Sequence, residues 1–146
     1  MPQITTMDFH ITTLHDLKSP AVYLADLLND YKIVALEGQM GAGKTTFVQT
    51  ILKSIGVEEL EGSPTYSLIN EYQSSLLGKV YHLDLYRLNS IDEVYDIGIE
   101  ELVYQNVVCF IEWPEKMQEM LPDNTIWVYL RVEEDLSRII TIKHED

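Results

Sequence analysis

Basic residues are scarce in this chain. Ten Lys and Arg stand against 24 Asp and Glu, a formal charge of −14 with histidine neutral. So acidic a surface repels phosphate backbones, which argues against unaided gripping of nucleic acid. A basic protein partner suits the charge; simple solubility also accounts for it. Cysteine is nearly absent. Cys109 stands alone, so no internal disulfide can form, and its place in the apolar run Val107–Ile111 points to a buried, unreactive thiol. No apolar stretch approaches the roughly 18 residues of a membrane span. Met1–His15 lacks the basic segment and apolar run of a secretory leader. A cytoplasmic protein without membrane contact is the expectation. Repeats, low-complexity tracts and linkers are missing too, and 146 residues fit one domain, 1–146.

Short elements alternate along the chain. Phe9–Thr13 reads as a strand. Ser19-Pro20 reads as an N-cap and first helical turn, opening a helix to about Asn29. Lys32–Glu37 is a short buried strand, and a helix runs from the following loop to about Ile55, stopped by Gly56. Tyr66–Tyr72 and Lys79–Leu85 form a hairpin around the polar turn Ser74–Gly78. Ile91–Val103 is helical, Val107–Glu112 is a second fully apolar strand, and Pro114–Met120 starts a helix. Thr125–Val132 and Ser137–Lys143 are the last strands. The alternation predicts an α/β fold, a mixed sheet flanked by helices in a three-layer sandwich.

The chemistry begins at Gly38-Gln39-Met40-Gly41-Ala42-Gly43-Lys44-Thr45, which fits G-x-x-x-x-G-K-[ST]. Glycines let such a loop turn its N–H groups around phosphate oxygens. Lys44 adds a positive charge near the β- and γ-phosphates, and the Thr45 hydroxyl can ligate Mg²⁺. The helix that follows points its positive end at the same place. An apolar strand before the loop and an apolar-periodic helix after it supply the required setting. ATP or ADP with Mg²⁺ is the expected ligand.

Such a site needs an acidic partner at a strand end. Asp84 ends one apolar strand and Glu112 another. Either can hold Mg²⁺ while the other orients the attacking water. Ser63-Pro64-Thr65-Tyr66 offers Thr65 as a sensor of the γ-phosphate, although Ser-Pro-Thr is also an ordinary turn. Arg87 can neutralise a nearby carboxylate or contact phosphate, and the ion pair is the preferred reading. His82 reads as a structural strand histidine, and Trp113 as either a packing residue or a nucleotide-stacking one.

Together, Gly38–Thr46 (GQMGAGKTT), Ser63–Tyr66 (SPTY), His82–Leu88 (HLDLYRL), Asp96–Glu101 (DIGIEE) and Ile111–Glu115 (IEWPE) resemble the TsaE family, also called YjeE or YdiB. The resemblance implies a bacterial ATPase of tRNA threonylcarbamoyladenosine synthesis, a modification beside the anticodon. Family members act on the TsaD–TsaB heterodimer and meet tRNA only indirectly. By the family's motifs, Gly38, Met40, Gly41, Ala42, Gly43, Lys44, Thr45 and Thr46 cradle the nucleotide, with Trp113 beside them. Thr65 is the switch-like threonine, Asp84 the HxDxYR carboxylate, and Glu112 joins Thr45 at the metal. Base contacts fall near Thr12–His15 or at Arg138. Gln39 stands where family loops often carry Asp, which leaves the backbone cradle intact.

Other classes lack their signatures. A small P-loop kinase would want an Arg-rich lid, and a GTPase an N-K-x-D segment. A non-hydrolysing ATP-dependent scaffold stays open, to be separated by whether partner-dependent ATP turnover occurs.

Overall fold

The protein is described here by a computed structural model, covering residues 3–61, 63–66 and 68–146, with the side chains of 63–66 undescribed. Among the described residues eight strands form one mixed sheet. In chain order they are β1 (Ile4–Ile11), β2 (Ile33–Gly38), β3 (Ser63–Tyr66), β4 (Ile69–Ser74), β5 (Gly78–Asp84), β6 (Val108–Glu112), β7 (Ile126–Val132) and β8 (Arg138–Glu145). Across the sheet the order is β1-β8-β7-β2-β6-β5-β4-β3. The centre is parallel, β7-β2-β6-β5, and both flanks are antiparallel.

Alternation along the strands divides the core. Val34 and Leu36 of β2, Val80 of β5 and Val108 and Phe110 of β6 face one way. They meet α1 (Lys18–Leu27) and α2 (Lys44–Ser54) through Leu24, Phe47, Val48, Ile51 and Leu52. These helix positions repeat at three and four residues, the spacing that lines one helical face. Ile33, Leu83, Cys109 and Ile111 face the other way, against α3 (Ile91–Ile97), α4 (Ile99–Val103), Met117 and Met120. Helices on both sheet faces make the three-layer α/β sandwich. No helix of the described residues is long and apolar enough to cross a membrane.

Several expectations need correction. The helix before β2 is not capped by Ser19, which lies inside α1; the chain enters through a 3-10 turn at Leu14–Leu17. Asp16 organises that entry, accepting hydrogen bonds from the N–H groups of Thr12 and Thr13 and from the Thr12 hydroxyl at 2.8–3.0 Å. Ile91–Val103 is two helices, because Gly98 takes a left-handed conformation (φ 84°) that an uninterrupted helix cannot hold. Pro114–Met120 forms two 3-10 turns instead of an α-helix. Ser63–Tyr66, expected as a loop, is an edge strand paired with β4, and the strand expected over Tyr66–Tyr72 runs instead over Ile69–Ser74.

Candidate functional site

β2 carries the chain to the glycine loop. It lies between two parallel neighbours, with Ile33 to Leu36 buried. That burial explains why it is a continuous apolar run without alternation. The loop turns through Gly41 (φ 84°) and Gly43 (φ 103°), and α2 starts at Lys44. Gly43, as N-cap, sits where an L side chain would be strained. Its backbone leaves the first N–H groups of α2 open toward the loop, the geometry that attracts anions.

A groove of about 340 Å³ lies over this turn. Met40, Gly41, Gly43, Lys44, Thr45, Thr46, Asp84, Tyr86, Glu112 and Trp113 line it. A second groove, of about 300 Å³, shares Gly41, Gly43 and Thr46 with the first and continues past Ala42 to Thr12, Thr13, Leu14 and Arg138. Arg138 is held there by donating from Nε to the carbonyl of Ala42 at 3.0 Å. His15 is not among the residues lining that groove.

Lys44 is almost buried. Its Nζ donates to the Gly38 carbonyl at 2.6 Å and sits 3.8 Å from the centroid of the Trp113 ring. Desolvation pulls its ammonium below the usual lysine range, while the charges of Glu112, Glu115 and Asp84 oppose that shift. Trp113 itself has a left-handed backbone (φ 61°), rare for a bulky side chain, and its ring meets Tyr86 at 5.0 Å. Strain of this kind, of order 1–3 kcal/mol, tends to be retained at functional sites.

The two strand-end carboxylates come together. Asp84 and Glu112 are opposite each other in the β5–β6 register. Glu112 is buried; Oε2 accepts from the Thr45 hydroxyl at 3.0 Å and lies 2.5 Å from Nε2 of His82. Burial disfavours its charge. The hydrogen bonds from His82 and Thr45, with the charges of His82 and Lys44, outweigh burial and hold it below the usual carboxylate range. Asp84 is exposed and accepts from the Tyr86 N–H at 3.2 Å. Glu37, beside the loop, is held above the ordinary range by burial and by Glu115.

The Thr65 side chain lies outside the described residues. Arg87 forms no ion pair among the described residues and stays exposed beside Asp84, in contrast to the expected pairing. His82 was missed as a participant. Parity in the sequence puts His82 and Asp84 on one strand face; that Glu112 shares this face, covered by α2, follows only from the β5–β6 register.

Strand, glycine loop and helix, in a sheet with a parallel centre, define a P-loop α/β protein. The family model described as threonylcarbamoyl adenosine biosynthesis protein TsaE matches residues 11–140, and the chain belongs to the TsaE family. It is similar to the tRNA threonylcarbamoyladenosine biosynthesis protein TsaE of Treponema pallidum (strain Nichols), 41% identical over 116 residues, 80% of this chain and 84% of that protein. The protein of the same name from Bacillus subtilis (strain 168) is 36% identical over 109 residues, 75% of this chain and 67% of its own length. Among solved structures, the crystal structure of YdiB from Bacillus subtilis superposes with a TM-score of 0.74 at 25% identity, covering 99% of this chain and 88% of that one.

Proposed function

We propose that this chain binds ATP with Mg²⁺ over its glycine loop and hydrolyses it to ADP and phosphate, in the cytoplasm, to support tRNA threonylcarbamoyladenosine synthesis. On this reading its partner is the TsaD–TsaB heterodimer, and tRNA is met only through that complex. The observation that carries the proposal is the Thr45–Glu112 contact beside Lys44 at the mouth of the loop.

The residues fit a nucleotide and its metal. Thr45 directs its proton to Glu112, so its oxygen lone pairs stay available to a cation. Four carboxylates, Glu37, Asp84, Glu112 and Glu115, lie around one lysine. A triphosphate added to that field needs a divalent cation to offset its charge. Among the described residues no group of three or more His, Cys, Asp or Glu is gathered for a metal. Much of the cation's oxygen shell then has to come from phosphate and water, which ties metal binding to nucleotide binding. Bound Mg²⁺ would neutralise phosphate oxygens as charge develops on the transferring group.

The chain's own residues supply the rest. Lys44 exchanges the Gly38 carbonyl for phosphate oxygens, and Gly41, Gly43 and Thr46 present backbone N–H groups to them, while the Ala42 N–H is held by the Gln39 carbonyl at 3.0 Å. Glu112 fixes Thr45 and serves the metal shell. Asp84, exposed on the same rim, accepts a hydrogen bond from water and aims it at the γ-phosphorus. The water oxygen bonds to phosphorus as the bond to the ADP oxygen breaks, and the water's proton passes through Asp84 to solvent. Trp113 and Tyr86 wall the phosphates, Thr65 senses the γ-phosphate, and the Thr12–Leu14 and Arg138 groove takes the nucleoside. The missing N-K-x-D segment favours ATP over GTP.

Calorimetry and hydrolysis assays test this. The wild type should bind ATP in preference to GTP. Lys44→Ala should melt normally yet lose at least about tenfold in ATP affinity, the scale of one charge-assisted contact. Hydrolysis should be slow alone and rise with the TsaD–TsaB heterodimer. Unchanged ATP affinity in folded Lys44→Ala overturns the nucleotide assignment. No turnover even with the heterodimer leaves an ATP-dependent scaffold instead of an ATPase.

A further inference from the structure

Among the described residues His82 is the one buried titratable side chain at the site that the proposed chemistry does not use. Its side chain and that of Glu112 are 7% and 4% exposed, and Nε2 to Oε2 is 2.5 Å. In the parallel β5–β6 pairing His82 stands opposite Phe110, so it reaches diagonally along the sheet to the strand end. Both contacts of the carboxylate fall on one oxygen: His82 and Thr45 meet Oε2. Among the described residues Oε1 accepts no protein hydrogen bond, and Glu112 lines the phosphate groove.

A carboxylate this desolvated seeks a cation. Lys44 is the competing one, close enough to favour the Glu112 charge. If Glu112 turned to pair with Lys44, it would release Thr45 and tie up the ammonium that phosphates need. β6 lies between β2, which leads to the Lys44 loop, and β5, so a bond from His82 on β5 holds the carboxylate back from Lys44. A merely structural histidine would be satisfied by any acceptor. This one meets the same oxygen that the Thr45 hydroxyl uses.

We propose that His82 is a positioning residue: its Nε2–H clamps Oε2 of Glu112, so that Thr45 and the second carboxylate oxygen face the phosphate groove as a nucleotide-bound cation requires. The proposal rests on the nucleotide reading above. Groups that orient metal-site residues typically contribute about 10- to 100-fold to metal affinity.

The test measures binding, not turnover. A fluorescent ADP analogue is titrated into wild type, His82→Leu, His82→Asn and His82→Gln, first in EDTA and then across a magnesium chloride series, with a thermal melt for each variant. Leu removes the donor at similar size, Asn stops about one bond short, and Gln places an amide N–H near the Nε2 position. His82→Leu and His82→Asn should bind the analogue normally in EDTA and need about 10- to 100-fold more Mg²⁺ for the metal-dependent gain. His82→Gln should recover most of that loss. In a Glu112→Gln background, His82→Leu should add nothing.

Wild-type Mg²⁺ dependence in folded Leu and Asn variants overturns the proposal. So does a Gln variant no better than Leu, which would make bulk, not donation, the cause. If Leu does not melt cooperatively, the Asn and Gln pair decides by the same comparison. A wild type that binds no nucleotide overturns the ATP reading and this proposal with it. A wild type that binds normally beside indifferent variants overturns this proposal alone.

Discussion

The ends of β5 and β6 lie side by side and in register, Asp84 opposite Glu112, but the two carboxylates meet different surroundings. β6 runs between β2 and β5, and α2 begins over its end, so Glu112 is covered and takes contacts from His82 and Thr45. At the end of β5 the chain leaves the sheet at once. Leu85 N–H bonds the Glu112 carbonyl, and Asp84 stays in solvent with the Tyr86 N–H on its carboxylate. A strand-end carboxylate is therefore placed by topology but differentiated by what covers it. The covered one is suited to fixing a hydroxyl and a metal. The open one is suited to holding water that exchanges with solvent.

The largest effect expected from breaking this contrast is at Glu112. Glu112→Ala should weaken magnesium-dependent nucleotide binding by about 100-fold, at the upper end of losses at metal-site supports. It should also lower the melting temperature, because His82 and Thr45 lose their shared acceptor in a buried place. Mg²⁺ titrations and a melt check both. Asp84→Asn sharpens the contrast from the other side. It should leave the melt and Mg²⁺-dependent ATP binding unchanged, while partner-stimulated hydrolysis falls about 100-fold, the scale of a positioned catalytic group.

The smallest effect concerns the turn beside the groove lined by Thr12, Leu14 and Arg138. Bonds from the Thr12 backbone, the Thr12 hydroxyl and the Thr13 backbone hold the Asp16 carboxyl at about 2, against an ordinary 3.8. A lowered folded pKa stabilises above the unfolded value, and that contribution is lost as pH falls from about 4 to 2. Asp16→Asn should slightly lower stability at neutral pH and flatten its acid limb. Denaturant melts at a series of pH values read this out; an unaltered acid limb would contradict the capping role.

Much of this contrast was legible before any fold was known. The apolar runs before Gly38 and up to Glu112 could only be buried strands, and Gly41, Gly43, Lys44 and Thr45 announced the loop and its helix. Cys109 sits in the core as its surroundings implied, with burial pushing its thiol up to about 12. The unread parts depended on pairing. His82 became a contact of Glu112 only because β5 and β6 are adjacent, parallel and in a given register, which no local pattern states. Gly98 divided a helical stretch because its left-handed turn lets α3 and α4 each bury one side, Val94 on one and Ile99 and Val103 on the other. The helix expected after β6 broke into two 3-10 turns because Met117, buried in the core, leaves helical geometry between them (φ −141°). Ser63–Tyr66 became a strand only by pairing with β4.

The division of labour between the two carboxylates is tested most directly by single-turnover ATP hydrolysis with the TsaD–TsaB heterodimer present, run for Glu112→Ala and Asp84→Asn across a magnesium series. The predicted result is a split. Excess Mg²⁺ partly restores Glu112→Ala, whereas Asp84→Asn stays about 100-fold slow at every Mg²⁺ concentration with ATP fully bound. Wild-type hydrolysis by both variants, or a defect in Asp84→Asn that magnesium repairs, would contradict it.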